Sequence, residues 1–249
     1  MSRLLKALPL ALSIAALIVF AAFAASCGSS SAQARFVNAI SQAGSLDIDI
    51  NGTKQFSSVG VNAASASTYI GVPSGSDTIE GFQAGGTTVA FASQTVSLNS
   101  GSSYTLVATG FLNGSIAPTV LNPVDNNTEP PNGSVSFRVI HASPDGQTPV
   151  DVYILPYPVT CDLGAGQCSA AVTSLAYQSV STYATQNYNS GGGGFQMFVT
   201  VHGSTTPLFN FGPFSVGSSS VGSIRTIVLT DNSSGNGFSD SPIVLDDLN

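Results

Sequence analysis

Arg35-Phe36-Val37-Asn38-Ala39, followed closely by Leu46-Asp47-Ile48-Asp49-Ile50, decides the fold, because the pattern occurs twice. It returns as Arg138-Val139-Ile140-His141-Ala142 and Val150-Asp151-Val152-Tyr153-Ile154. Short runs that alternate or are apolar throughout, with a period of two, send successive side chains to opposite faces of a strand. Outward from the first copy, the same reasoning predicts strands near 35–41, 45–51, 54–59, 67–72, 76–83, 87–98, 103–111 and 116–121. Gly, Ser, Asn and Pro separate them, and no window in this body sustains a helical period. The expected fold class is all-β: two tandem immunoglobulin-like or transthyretin-like β-sandwiches behind an N-terminal signal segment.

Further matches extend the repeat. Tyr69 aligns with Tyr188, and Pro118-Thr119-Val120-Leu121 with Pro242-Ile243-Val244-Leu245. The alignment lengthens between Ile154 and Tyr188, so one copy has acquired an insertion, expected near 156–175, and Cys161 and Cys168 lie in it. The segment from Asp125 to Gly133 reads as a linker. The expected organisation is a signal segment at 1–26, a tether at 27–34, a first domain at 35–124, the linker at 125–133 and a second domain at 134–249. Roughly 90 and 115 residues suffice for two modest cores.

The N-terminus reads as an export signal. Arg3 and Lys6 precede an apolar stretch from Ala7 to Phe23, and small residues then lead to a cysteine in Ala24-Ala25-Ser26-Cys27. This resembles a bacterial lipobox, which implies that Cys27 is acylated and becomes the mature N-terminus. Ala24 stands where such motifs usually have Leu. Gly28, rather than Asp, after the cysteine implies sorting to the outer membrane. Cleavage after Ala22-Phe23-Ala24 or Ala32-Gln33-Ala34 would instead release a soluble secreted protein. Retention of roughly 19 apolar residues would leave a membrane anchor, since about 20 span a bilayer. All three routes place the body outside the cytoplasm.

Three cysteines fit that address. With Cys27 lipidated, Cys161 and Cys168 remain to form a disulfide across a short loop, worth about 2.5 kcal/mol on the chain-entropy model. Their spacing is not C-x2-C and only two histidines exist, so a zinc site is not expected, nor any other cofactor. The net charge is −7, and loss of Arg3 and Lys6 with the leader would make it more negative. An acidic chain with no basic stripe repels phosphate backbones, which argues against a nucleic-acid partner. Charged residues are only 8% against 43% hydrophobic, a balance that suits an exported β-rich body and not a disordered one.

Val139-Ile140-His141-Ala142-Ser143-Pro144-Asp145, then Val150-Asp151-Val152-Tyr153, resembles the opening signature of the bacterial envelope domain of unknown function 4397. The resemblance implies an exported, β-rich protein in which the domain often occurs in tandem. The first half carries a weaker version, with Asn38 in place of His141. No activity comes with the resemblance.

His141, Asp145 and Asp151 form the most site-like set. His and Asp flank a turn at Ser143-Pro144, and with Ser143 a nucleophile triad can be drawn. Turn chemistry and a histidine bonded to a backbone carbonyl account for the same residues. Asp47 and Asp49 share a strand face and read as a solvated surface. The run from Asp231 to Asp240 has the composition of a calcium loop without its ligand spacing. The expected role is a non-catalytic binding or adhesion module, tied to the membrane by its lipid and meeting an envelope protein or glycan. A structural spacer is the alternative, and a hydrolase using His141 with Asp145 or Asp151 is a third.

Overall fold

The computed structural model describes residues 31–66, 68–188, 194–216, 222–232 and 237–248. The leader, including Cys27, lies outside the described residues. Ser31–Asn249 form one compact unit. Among the described residues every regular element is a strand: β1 (Ser31–Ser41), β2 (Leu46–Ile50), β3 (Thr53–Val59), β4 (Ala63–Ala64), β5 (Ile70–Pro73), β6 (Gly75–Gln83), β7 (Val89–Leu98), β8 (Ser103–Phe111) and β9 (Thr119–Leu121). They continue with β10 (Ser134–His141), β11 (Val150–Pro156), β12 (Val172–Leu175), β13 (Ala184–Asn187), β14 (Phe195–Val201), β15 (Pro207–Phe214), β16 (Ser223–Leu229) and β17 (Ile243–Asp246). None of the described residues forms a helix long and apolar enough to cross a membrane.

The strands build four sheets in two matching pairs. Sheet order β4-β1-β8-β9, with β5 also on β1, faces order β3-β2-β6-β7. The same plan recurs as β13-β10-β16-β17 facing β12-β11-β14-β15. In each half the first strand runs parallel to a late one, β1 beside β8 and β10 beside β16, while the other neighbours are antiparallel. Each pair of sheets encloses its own core, Phe36, Ile48, Ile79 and Leu106 in the N-terminal sandwich and Phe137, Val152, Met197 and Ile227 in the C-terminal one.

The strand starts differ from expectation at one end. β1 begins at Ser31, so Ala32 and Ala34, expected in the tether, are fully buried in the first core. There Ala32 stands opposite Val72 and Ala34 opposite Ile70 of β5.

A third apolar cluster joins the two sandwiches: Val37, Ala39 and Val107 against Ile140, Ala142, Val228 and Leu245. The strands β1, β8, β10 and β16 are therefore covered on both faces, one by their own partner sheet and one by the other sandwich. This explains why β10 is buried at every position although antiparallel sheets usually leave one face to water. Alternation along β1 sorts the two faces. Phe36 and Ile40 fill the first core, and Arg35, Val37 and Ala39 point toward the other sandwich.

Two sequence alignments shift. The tyrosine over Arg35 is Tyr69, and the one over Arg138 is Tyr183, so Tyr183 and not Tyr188 is the counterpart of Tyr69. Leu121 lies opposite Val107 and Ile243 opposite Val228, so Leu121 corresponds to Ile243 and not to Leu245. Three identities in a four-residue stretch favoured the wrong register; backbone pairing sets the right one.

Candidate functional site

The residues expected to form a site are separated by the fold. Asp151 points out of sheet β12-β11-β14-β15 and accepts hydrogen bonds from the Ser174 amide (2.7 Å) and the Gly203 amide (3.0 Å), and it meets Nδ1 of His202 at 2.8 Å. Burial pushes its carboxyl upward, but these donors together win and lower its pKa. Asp47 does the same work in the first sandwich, accepting from Ser58, Gly85 and Lys54 at 2.8, 3.1 and 2.6 Å. The Lys54 ammonium and the two amides hold it at about 2. Both aspartates pin a serine with positive φ, Ser58 at 51° and Ser174 at 51°, and a hairpin glycine. They are fasteners of the outer sheet, and neither carboxylate touches His141.

His141 is fully buried at the end of β10. Its ring lies 5.2 Å from that of Phe238 and 5.8 Å from that of Tyr177, and the Ser143 amide approaches Nδ1 at 3.5 Å. Burial lowers its pKa to about 4, partly offset by the backbone of Thr148 and Gly146, so the imidazole is neutral at pH 7. The Ser143 hydroxyl donates to the Asp231 carboxylate, which also accepts from the Asp145 amide at 3.2 Å. Burial raises the Asp231 pKa. The side chain of Asp145 is exposed. Thus the serine faces Asp231, the first residue of the run with a calcium loop's composition, and the nucleophile–histidine contact a triad needs is not formed. No cluster of three metal-ligating side chains occurs among the described residues.

Sequence reading missed the most concentrated group of charges. Arg35, Asp125, Arg138 and Asp247 meet between the sandwiches, each at most 6% exposed. Arg35 pairs with Asp247 and lies 3.9 Å from Asp125, and Arg138 pairs with Asp125. The Thr105 hydroxyl donates to Asp125 and the Thr226 hydroxyl to Asp247, both at 2.7 Å. The Tyr69 and Tyr183 hydroxyls donate to the same two carboxylates, again at 2.7 Å, while their rings cover the guanidinium groups at 4.7 and 5.0 Å. Asp125, at the head of the expected linker, is therefore part of the interior. Both arginines were visible as repeat markers, but their carboxylate partners carry no local signal.

The outward face of the C-terminal sandwich differs from that of the N-terminal one. Asp49 lies opposite Glu80 in the first outer sheet, and the matching pair in the second is Tyr153 opposite Phe198. Two carboxylates have been replaced by two partly exposed rings. The neighbouring hairpin differs as well. In the first half β2 and β3 are joined by Asn51-Gly52, both with positive φ, as a tight hairpin requires. In the second, Tyr157 to Ala171 occupy that place, and Cys161 and Cys168 are disulfide-bonded with Cα atoms 6.0 Å apart. Gln196 of β14 donates to the Val159 carbonyl, tying the loop to the ringed sheet. Tyr157 and Val159 are exposed, at 37% and 42%. Open grooves along the matching edge of each sandwich, beside Ser58 and Ala63 in one and Ser174 and Ser179 in the other, are lined mostly by small uncharged side chains.

Residues 32–153 match the family described as "Domain of unknown function (DUF4397)". The chain carries a DUF4397 domain. The match runs from β1 through the first sandwich and into β11, ending at Tyr153, so it includes the His141–Asp145 turn and the Arg35, Asp125 and Arg138 positions. No curated protein matches the chain. Among solved structures, the chain is similar to "The Bacillus anthracis TIE protein" at 11% identity, with 81% of this chain and 34% of that one covered and a TM-score of 0.24. The chain spans about a third of that protein's length.

Proposed function

We propose that this is an exported cell-envelope protein, lipid-anchored through Cys27 to the outer membrane, that works as a non-catalytic binding or adhesion module. The observation that carries the binding reading is the outer sheet of the C-terminal sandwich. There Tyr153 and Phe198 stand where the other half has Asp49 and Glu80, beside a disulfide-stapled loop that the other half lacks. Rings beside the amides of Gln196 and Asn210 suit an envelope glycan or a protein surface. A rigid sandwich presenting one specialised loop is also a common way to build a recognition site. The hydrolase reading loses support, since Ser143 serves Asp231 and His141 is sealed among Phe238 and Tyr177. A spacer without a ligand is the second reading, favoured by the buried charges that fix one sandwich on the other.

The test compares the intact ectodomain with two variants in pull-downs from envelope extract and from isolated envelope polysaccharide. One replaces 157–171 by Asn-Gly, and the other combines Tyr153→Asp with Phe198→Glu. Specific capture by the intact protein, lost in both variants, supports the module. Absent capture, or capture that survives both changes, leaves the spacer. Intact mass after membrane extraction tests the anchor, which requires a chain beginning at Cys27 with added acyl mass.

A further inference from the structure

The face that joins the two sandwiches is self-complementary. Residues Val37, Ala39 and Val107 of one oppose Ile140, Ala142 and Val228 of the other, and these are matching positions of the repeat. The buried charges obey the same two-fold relation. Arg35 bonds Thr105 of its own sandwich and Asp247 of the other, and Arg138 bonds Thr226 of its own sandwich and Asp125 of the other. The main chain follows suit, for Arg35 also donates to the Asp246 carbonyl and Arg138 to the Val124 carbonyl. Each sandwich thus has a buried arginine whose countercharge is supplied by the segment just beyond the last strand of its neighbour. Interfaces in which residue i meets j and j meets i are those of two-fold dimers.

We infer that this face is an interaction surface for a second copy of the same sandwich, that the chain supplies that partner itself, and that the two halves fold as one cooperative body. The chemistry requires mutual dependence. If one sandwich opened alone, the other would expose its half of the apolar cluster to water, and its arginine and aspartate would lose the ion pairs that cross the interface. Wetting that apolar face and losing those bonds both oppose the opening of one half alone. Asp125 and Asp247 therefore act as reciprocal latches, each holding the half to which it does not belong.

Native-state hydrogen exchange on the full chain tests this, with the slowest amides of β6 and β14 reporting on the two outer sheets. In the unmodified protein both sets are expected to share one protection factor and one dependence on denaturant. Distinct isotherms for the two sheets would overturn the inference without any variant. Asp247→Asn, which removes a charge from the C-terminal half, is expected to lower protection in β6 as much as in β14, by roughly several hundredfold to a few thousandfold. Asp125→Asn is expected to do the same in mirror image. A loss confined to the half that carries the substitution would defeat the idea.

Discussion

His141 and Asn38 sit at the same place in the two halves, and their surroundings explain why the two side chains differ. Asn38 donates from Nδ2 to the Gly44 and Val59 carbonyls at 2.9 and 3.1 Å, while its Oδ1 accepts from the Ile40 amide. His141 fills the corresponding site beside Phe238, where a flat ring packs better than an amide. Its pKa of about 4 lies below the ordinary 6.5, so between these values the unfolded chain binds a proton that the folded one refuses. Stability therefore rises with pH in that window: the contribution is complete above about pH 6.5 and lost as pH falls toward 4. The shift corresponds to about 3 kcal/mol. Denaturant unfolding at pH 7, 5.5 and 4 is expected to show this slope in the native protein and a flatter one in His141→Asn. An unchanged slope in the variant would place the effect elsewhere. Asp47 follows the same arithmetic in a lower window, since its stabilisation is present above about pH 4 and disappears toward pH 2.

At the scale of elements, the strands carry local signals and their connections carry less. The eight strands expected in the first half all exist, because their apolar positions alternate and their turns contain Gly or Asn. The short β4 was not expected: only two residues pair with β1, at Val37 and Asn38, and such a segment has no pattern to read. Gly110, near the end of β8, shows what fixes a connection. Its φ is +134°, and an added Cβ would lie 2.7 Å from Pro118 Cα and 2.9 Å from the Ala117 carbonyl oxygen, backbone atoms that cannot swing away. Gly110→Ala should therefore cost about 2–4 kcal/mol, read as a lowered denaturation midpoint. Gly85→Ala makes the control, for a Cβ there meets nothing within 4 Å and only its φ of +73° opposes the change. Equal losses in the two variants would mean that steric closure at Pro118 is unimportant.

For the molecule as a whole, the stapled loop and the charge cluster act on different levels. The disulfide closes a short exposed loop outside both cores, so reduction should remove at most about 2.5 kcal/mol and leave a single unfolding transition. Thermal or denaturant melts with and without reductant check this, and a transition that splits on reduction would show the loop to be part of the framework. Neutralising a member of the buried quartet should cost more, about 3–5 kcal/mol, because three charges then stay buried in unbalanced form. Arg35→Ala against Arg35→Ala/Asp247→Ala measures the coupling, and simple additivity would deny it.

The sequence by itself determined the all-β class, the strands of the first half, the repetition and the place of the insertion. Each of these rests on period-two alternation, turn residues or short identities, which are local. The family resemblance was legible in the VIHASPD stretch for the same reason. Only the tertiary structure decided that Arg35 is completed by Asp247, that Ser143 faces Asp231, that Asp151 never meets His141, and that Tyr183 is the partner of Tyr69. The physical reason is distance along the chain. Arg35 and Asp247 are 212 residues apart, and nothing in either neighbourhood encodes the other. What brings them together is the burial of both faces of β1, β8, β10 and β16, a property of how four sheets stack and not of any one strand.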